Sequence, residues 1–325
     1  MRRALLVASR RGWEALGSRR LADLLSDDGP VLLTRTVVRH FEATSHEVSD
    51  VCARARETGA STIIGLGGGR AIDVAKASAA AVGARLIAVP TTCSTCTAAS
   101  SWCTIDDHAV PLGMRPDRVL WDYRVLTAAP PHFLVNGMCE GAAVLASFNC
   151  ARRRSALPGR GGVRRSDAQD AQRIERLVSA EGRRALAAAQ HSRATPVFRH
   201  AVHTLIVSTA HLFEAVGMGP AHALFMALRA DPSLRSRVQR QWLGFCSVFE
   251  MIALDSGALQ LATHVSFLRS LGVRLNIGVH RLNARHQKDL VRLAAHLITN
   301  LHLRPPAGAM LAAFRTAARY AASSS

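Results

Sequence analysis

The first 128 residues alternate between apolar runs and segments with helical spacing. Four apolar runs predict buried strands, RRALLVAS, GPVLLTRTVV, ASTIIGLG and ARLIAVPTT, and DRVLWDYRVL predicts a further short one. Segments between them predict helices, GSRRLADLLSD, SHEVSDVCARARETG and RAIDVAKASAAAVG. Strands that are apolar throughout and joined by helices are typical of a parallel sheet covered on both faces. We therefore expect an α/β domain over residues 1–128.

After the prolyl break TAAPPH, nearly all hydrophobic positions follow helical spacing. The segments that show it are FLVNGMCEGAAVLASFNC, AVHTLIVSTAHLFEAVG, GPAHALFMALRA, RQWLGFCSVFEMIALDSGALQLATHVSFLRSLG and DLVRLAAHLITNLHL. A chain of 325 residues is long enough for two domains. We predict that an all-α domain over residues 129–325 follows the α/β domain, with the boundary between Ala128 and Pro131.

Three consecutive glycines, Gly67, Gly68 and Gly69, stand between the third predicted strand and the helix that follows it. Glycine permits positive φ and close approach of the backbone to another group. A helix N-terminus offers unpaired N–H groups and the positive end of the helix dipole, which suit phosphate. The turn is therefore a candidate pyrophosphate cradle, although its spacing is neither G-x-G-x-x-G nor a Walker A loop. The alternative is a glycine turn used only for close packing.

Arginine dominates the charge, and this limits what the charge implies. The net charge is +18, and only Lys76 and Lys288 among the 41 basic residues are lysines. The densest stretch, 151–200, has 12 arginines against 4 acidic residues and predicts a loop that feeds a solvated helix. Aromatic residues are scarce and no nucleic-acid reader motif is present, so we expect no specific nucleic-acid partner. An arginine bias of this kind also fits GC-rich coding.

Cysteine usage and hydropathy bear on location. Seven cysteines, an odd number scattered among apolar segments, argue against a disulfide scaffold and for a reducing cytoplasm. No uninterrupted apolar run approaches the roughly 18 residues that cross a bilayer. We therefore expect a cytoplasmic protein without a membrane partner.

Four stretches together resemble one enzyme family. GGGRAIDVAK, VPTTCSTCTAASSWCTI, NGMCEGAA and GMGPAHALFMAL occur in the order and spacing of the iron-containing alcohol dehydrogenase and glycerol dehydrogenase superfamily. The resemblance implies a dehydroquinate-synthase-like fold, with a dinucleotide-binding α/β domain before a helical substrate and metal domain. It also implies hydride transfer between a nicotinamide cofactor and a small alcohol or carbonyl compound, in a cleft between the two domains.

For the cofactor, the resemblance implies that the triple glycine wraps the pyrophosphate. The other residues that match cofactor-lining positions of the family are Asp73, Lys76, Thr91, Thr92, Ser94 and Thr95. Both loops follow strands of the predicted parallel sheet, at whose carboxyl ends ligands bind in open α/β folds.

The end of the first predicted strand indicates the choice between NAD and NADP. An acidic residue at this place binds the ribose hydroxyls of NAD, whereas arginine accommodates the 2′-phosphate of NADP. The chain has Ser9, Arg10 and Arg11 there and no acid. NADP is therefore favoured over NAD, with solvated arginines as the alternative.

The resemblance also implies a divalent metal, zinc or iron, and here the chain departs from the family. Glu140 matches the family's acidic ligand, and His222 matches its first histidine. Gln239 stands where the second histidine is expected, and an amide is a poor ligand for zinc or ferrous iron. His203, His211 or Cys139 are candidate substitutes, and for His222 a hydrogen-bonded core histidine is the alternative.

The candidates for chemistry at the substrate are His222, Cys96 and Thr95, with Thr97 as a neighbouring hydroxyl. His222 or a hydroxyl near Thr95 or Thr97 would stabilise the developing alkoxide if the metal were lost. Cys96 stands where many polyol-oxidising relatives have an aspartate that contacts substrate hydroxyls. Cys93 and Cys96 also have the spacing of a redox dithiol, with the filling of a tight loop as the alternative.

These observations predict an NAD(P)-dependent oxidoreductase that interconverts an alcohol with an aldehyde or ketone. The enzymatic alternatives are a polyol-phosphate dehydrogenase and a sugar-phosphate cyclase of the same fold. A catalytically silent dinucleotide-binding relative that has lost its metal is the competitor from another class. The resemblance further implies assembly as a homo-oligomer.

Overall fold

A computed structural model describes residues 2–26, 31–154 and 163–322. These residues pack as two compact units. The first contains residues 1–134 and 187–202, and the second contains residues 135–186 and 203–325. The first unit thus ends six residues after the predicted boundary at 128. It also includes residues 187–202, and no local pattern in the sequence indicated that this segment packs with the α/β part.

The first unit is built on a five-stranded parallel sheet in the order β2-β1-β3-β4-β7. Its strands are β1 (Arg2–Ser9), β2 (Val31–Arg39), β3 (Thr62–Gly67), β4 (Arg85–Pro90) and, after a β-hairpin of β5 (Trp102–Ile105) and β6 (His108–Pro111), β7 (Arg118–Val119). The helices between and after them are α1 (Arg10–Leu25), α2 (Ser45–Thr58), α3 (Gly69–Val82) and α4 (Tyr123–Ala128). The predicted α/β class is confirmed. The segment DRVLWDYRVL forms only a two-residue strand before α4, and the hairpin was not predicted.

Local signals in the sequence explain where these helices begin and end. Thr44 and Glu47 form a reciprocal capping box at the start of α2, and Gly59 ends that helix in the left-handed conformation. Gly83 ends α3 in the same way. The apolar strands fill two hydrophobic clusters, one on each face of the sheet, in which Leu5 and Leu6 are fully buried on opposite sides. The carboxyl ends of β1, β3 and β4 are thereby fixed next to one another.

The second unit is helical, as predicted. The helices from residue 131 onward are α5 (Pro131–Arg153), α6 (Arg165–Arg176), α7 (Gly182–Gln190), α8 (Pro196–His203), α9 (Thr209–Val216), α10 (Pro220–Ala230), α11 (Trp242–Ala253), α12 (Ala258–Ser270), α13 (Ala284–Leu297) and α14 (Ala307–Ala322). The start of α5, the end of α7 and all of α8 except His203 belong to the first unit. The solvated helix expected in the arginine-rich stretch is α6, while 155–162 of the predicted loop lie outside the described residues.

Helix α5 is long and apolar enough, by length and composition, to span a bilayer. However, 83% of its most apolar 18-residue stretch is buried inside the protein. Helix α5 also carries Asn136 and Glu140, both buried. It therefore has the burial of a core helix, and it places Glu140 inside the second unit.

Candidate active site

The carboxyl ends of three neighbouring parallel strands lie together at one edge of the sheet in the first unit. Ser9 ends β1, Gly67 ends β3, and Thr91 directly follows β4. Ser9 caps α1 by accepting a hydrogen bond from the Gly12 N–H at 3.1 Å. A side chain at Gly12 would lie 3.0 Å from the Gly67 Cα and 3.4 Å from the Thr91 Cγ2. The sequence-predicted loops therefore meet at the carboxyl edge of the sheet, where open α/β folds bind ligands.

Gly67 and Gly69 leave no room for a side chain at this edge, and Gly68 has a separate role. Gly67 has φ +146°, which side-chain-bearing residues rarely adopt, and a Cβ there would overlap Ser9. A Cβ on Gly69 would lie 2.8 Å from the Thr95 Cγ2. Gly68 is the N-cap of α3 and has no side chain to accept from the first N–H groups of the helix. The turn thus leaves these donors available to an anion at the positive end of the α3 dipole.

The second loop, residues 91–97, lies directly beside the glycine turn. The Thr92 Oγ1 is 3.1 Å from the Ser94 Oγ, and a Cβ on Gly68 would lie 3.7 Å from that Thr92 oxygen. Thr95 caps the short 3₁₀ helix Cys96–Ala98. Thr92 and Ser94 are only partly buried, so their hydroxyls border the turn rather than the core.

Asp73 and Lys76 are joined to the second loop by buried hydrogen bonds. Lys76 is fully buried, and its Nζ donates to the Thr97 carbonyl at 2.6 Å, the Trp102 carbonyl at 2.6 Å and the Thr97 Oγ1 at 3.1 Å. The Thr97 hydroxyl in turn donates to Asp73. Burial lowers the pKa of Lys76, and the nearby Asp73 carboxylate opposes that shift. Because all three ammonium protons have protein acceptors, Lys76 is not free for direct contact with a cofactor. It fastens the second loop to α3.

The cysteines do not have the properties of a redox pair. All seven are free and buried, and burial raises the pKa of the Cys93 thiol to about 12. A reactive thiol requires a lowered pKa and access to solvent. Cys93 and Cys96 are 3% and 5% exposed, which agrees with the filling of a tight loop.

Arg10 and Arg11 occupy the first turn of α1, next to Ser9. Both side chains are exposed, and within the described part of the chain neither has a carboxylate partner. The two arginines thus place positive charge beside the carboxyl edge of the sheet.

In the second unit, Glu140 and His222 are both buried. Glu140 lies in the middle of α5 and is 6% exposed, and His222 lies in the first turn of α10 and is 9% exposed. The His222 ring packs against Phe213 with a centroid distance of 5.0 Å, and its buried Nε2 has no hydrogen-bond partner among the residues that the structure describes. Burial, and secondly the charge of Arg240, lower the pKa of His222 to about 3. The imidazole is therefore neutral at physiological pH.

Arg240, which precedes α11, is the charged neighbour of this pair. One of its guanidinium nitrogens lies 3.8 Å from the Glu140 Oε1, and the guanidinium carbon lies 5.9 Å from the centre of the Phe225 ring. The guanidinium thus supplies the positive charge that a buried carboxylate requires. Sequence reasoning considered position 239 and missed the cation next to it.

Gln239, predicted as the third metal ligand, is exposed. It lines a cavity of about 640 Å³. The other residues of the lining are Arg237, Gln241, Trp242, Gly272, Arg274, Asn276, Ile277, Gly278, His280 and Arg281. Across the described ranges, no three His, Cys, Asp or Glu side chains are placed to hold one metal ion, and this includes the suggested substitutes His203, His211 and Cys139. His211 pairs with Asp170 at 3.2 Å, and burial raises the pKa of Cys139 to about 12. A neutral amide, one imidazole and a carboxylate already facing a guanidinium do not fit a resident divalent cation.

Glu250 of α11 organises the helices that carry this pair. Its carboxylate accepts from the Ser147 hydroxyl of α5 at 2.6 Å and from the Ala221 N–H of α10 at 3.0 Å. A Cβ on Gly219 would lie 3.0 Å from Glu250 and 2.7 Å from the Ser147 Oγ, which explains the glycine of the GMGPAHAL motif. Glu250 is a fully buried carboxyl in an apolar helix, and that contrast in the segment WLGFCSVFEMIA could have identified it.

Comparisons with known proteins identify relatives. Residues 1–123 match the family model of iron-containing alcohol dehydrogenases. The chain is 24% identical to glycolaldehyde reductase of Halobacterium salinarum over 262 residues, which cover 78% of this chain and 72% of that protein. It is 34% identical to glycerol-1-phosphate dehydrogenase [NAD(P)+] of Methanosarcina acetivorans, but over 41% of this chain and 37% of that protein.

Among solved structures, a probable glycerol dehydrogenase from Sinorhizobium meliloti 1021 superposes with a TM-score of 0.83. The superposition covers 99% of this chain and 92% of that one, at 19% sequence identity. This likeness confirms the predicted fold, an α/β sheet domain followed by a helical domain.

Proposed function

Because the chain is a relative of the iron-containing alcohol dehydrogenase and glycerol dehydrogenase superfamily, we propose that it is an NAD(P)-dependent oxidoreductase. It interconverts a small alcohol with an aldehyde or ketone. The observation that carries the proposal is the glycine turn 67–69 at the sheet edge, where Ser9 and Thr91 converge on Gly67. The relatives named as glycolaldehyde reductase and glycerol-1-phosphate dehydrogenase support this class of substrate.

We assign the cofactor contacts to the first unit. The uncapped N–H groups at the start of α3 bind the pyrophosphate, and the hydroxyls of Thr92 and Ser94 border the same turn. Lys76 and Asp73 hold the second loop in place through Thr97 and are positioning residues. When bound, the nicotinamide supplies or accepts the hydride. Thr95 and Cys96 lie on the second loop and remain predicted substrate contacts, as does the cleft in which the substrate is expected.

We propose NADP as the preferred cofactor. Arg10 and Arg11 follow β1, are exposed and have no carboxylate partner in the part of the chain that the structure describes, so they are available to a 2′-phosphate. The buried free cysteines support a cytoplasmic location, where thiols stay reduced.

The activity is tested by following the absorbance of NADPH and of NADH during incubation of the purified protein with a panel of aldehydes and ketones. Glycolaldehyde, dihydroxyacetone and unbranched aldehydes belong in the panel. Oxidation of the cofactor that depends on a carbonyl compound is expected, faster with NADPH. Binding of both cofactors without turnover of any carbonyl compound or alcohol would favour the catalytically silent alternative.

The cavity beside Gln239 favours a second candidate, a polyol-phosphate dehydrogenase. Arg237, Arg274 and Arg281 line it together with His280, and none of the three arginines is paired with a carboxylate among the described residues. Unpaired arginines bind phosphate well because the guanidinium fork matches its oxygens. A lower KM for dihydroxyacetone phosphate than for dihydroxyacetone, lost in Arg274→Ala, would support this candidate. Equal KM values would reject it.

A further inference from the structure

The Arg240 guanidinium lies beside the buried Glu140 and supplies a positive charge there. Arg240 brings a guanidinium nitrogen to 3.8 Å from the Glu140 Oε1, and both of these residues belong to the second unit. The Glu140 side chain is 8% exposed and that of Arg240 is 30% exposed, so their charges interact through a poorly hydrated environment. The guanidinium also faces the Phe225 ring, a contact that suits a flat, weakly hydrated cation.

The same geometry disfavours a metal ion. A carboxylate and an imidazole are the two strong ligands of the predicted metal site, and they belong to the buried Glu140 and His222. Gln239, the predicted third ligand, is exposed and lines the cavity of Arg237 and Trp242. An ion bound by Glu140 would face the fixed positive charge of Arg240, and like charges in a poorly hydrated pocket repel strongly. Two protein ligands also fall short of the three that catalytic zinc sites use.

We propose that the Arg240 guanidinium is the resident counter-charge of the buried Glu140, in place of the divalent metal that the fold family implies. The charge of Glu140 would then be balanced without a metal ion. The catalytic consequence, an oxidoreduction that does not depend on metal, rests on the proposed function.

A guanidinium offers the chemistry that such a reaction needs at the substrate oxygen. Addition of a hydride to a carbonyl carbon moves the pair of π electrons onto oxygen, where a negative charge develops. N–H donors on a positive group stabilise that charge, and the proton that completes the alcohol comes from water.

The first test measures metal. The protein is expressed in medium supplemented with zinc and iron, purified without chelator and analysed by plasma mass spectrometry. Thermal melting and carbonyl reduction are then compared with and without EDTA. The proposal expects far less than stoichiometric metal and no change with EDTA in melting temperature or rate. Stoichiometric zinc or iron whose removal lowers the melting temperature would overturn it.

The second test asks whether Arg240 acts as the counter-charge of Glu140. Arg240→Met, Glu140→Gln and the double variant are compared by thermal melting, with Arg235→Met, an exposed arginine of the same connection, as the matched control. Arg240→Met is expected to lower the melting temperature in the wild-type background and to lower it clearly less when Glu140→Gln is present. Arg235→Met should leave it unchanged. Additive effects of the two substitutions would contradict an ion pair and overturn the proposal.

Kinetics separate this inference from the proposed function. In an active enzyme, Arg240→Met should lower kcat by roughly 100-fold, the usual effect of removing one donor to a developing oxyanion, while Arg240→Lys retains part of the rate. Unchanged kcat in Arg240→Met would remove the catalytic consequence. If the wild-type protein is metal-free, shows the coupling of Arg240 to Glu140 and binds NADPH but turns over no substrate, the proposed function fails and the resident counter-charge stands.

Discussion

Replacing Glu250 by glutamine should change how the stability of the protein depends on pH. Glu250 is fully buried, and burial raises the pKa of its carboxyl from about 4.5 to about 7, although hydrogen bonds from Ser147 and the Ala221 N–H oppose the shift. In the unfolded chain the carboxyl ionises above about pH 4.5, whereas in the folded protein it ionises only above about 7. The stability that Glu250 contributes is therefore complete below pH 4.5 and is lost as the pH rises to about 7.

The size of the effect follows from the shift. A difference of about 2.5 pKa units at about 1.4 kcal/mol per unit gives about 3 kcal/mol between the two limits. Glutamine can keep an oxygen toward the Ala221 N–H and an amide group toward the Ser147 oxygen, without a charge. Relative to the wild type, Glu250→Gln should thus be close to neutral at pH 4.5 and more stable by up to about 3 kcal/mol at pH 8.

The assay is urea unfolding at several pH values between 4.5 and 8, with the free energy of unfolding compared between wild type and variant. Glu14→Gln, a substitution of an exposed glutamate on α1, controls for the change in net charge. A free-energy difference between Glu250→Gln and wild type that stays constant across this range would show that burial does not shift the ionisation of Glu250. It would mean that Glu250 has the same proton affinity in the folded and unfolded chains.

Four further outcomes are expected. Gly69→Ala should weaken NADPH binding at least tenfold in a fluorescence titration with little loss of stability, because its Cβ would press on the Thr95 methyl group at 2.8 Å. Lys76→Met should lower the free energy of unfolding by about 3–5 kcal/mol, since it leaves Asp73 and two carbonyl groups without their cation, and unfolding in urea would measure this. Arg10→Ala combined with Arg11→Ala should raise the ratio of the NADPH to the NADH dissociation constant, and an unchanged ratio would reject their assignment to the 2′-phosphate. The folded protein should react with a thiol reagent such as iodoacetamide only after denaturant is added, because burial raises the pKa of Cys93 to about 12 and leaves all seven cysteines covered.

The sequence predicted those parts of the fold that depend on local periodicity. Fully apolar runs separated by helical segments indicated the parallel sheet, and Gly67 to Gly69 indicated the turn at its edge. The strand predicted at DRVLWDYRVL was mostly wrong because Asp122 caps a helix that starts at Tyr123. Residues 187–202 pack with the first unit through long-range contacts, and local spacing carries no information about such contacts.

The candidate site was predictable only where a motif shows its chemistry directly. The acceptors of Lys76 were not predictable, because a lysine on a helix behind a phosphate loop gives no sign of which carbonyl and hydroxyl groups its ammonium reaches. Arg240 was missed because the chain is rich in arginine, so that one more arginine has no distinguishing context. Glu250 lies 110 residues along the chain from Glu140, and only the packing of α5, α10 and α11 reveals that it anchors the helices of the site.

We propose above all that the glycine turn binds a nicotinamide dinucleotide. Calorimetric titration of NADPH into the wild-type protein and into Gly67→Ala measures this binding. A Cβ at position 67 would overlap Ser9, and the φ of +146° is strained for alanine, so this variant cannot keep the turn as it is. A matched titration of Gly113→Ala, at a glycine with a positive φ and nothing within 4 Å of an added Cβ, controls for the cost of a positive φ alone. We predict saturable binding of NADPH to the wild type and to Gly113→Ala, and loss of binding in Gly67→Ala. Absence of heat change with the wild type at millimolar NADPH, or equal affinity in Gly67→Ala, would contradict the account.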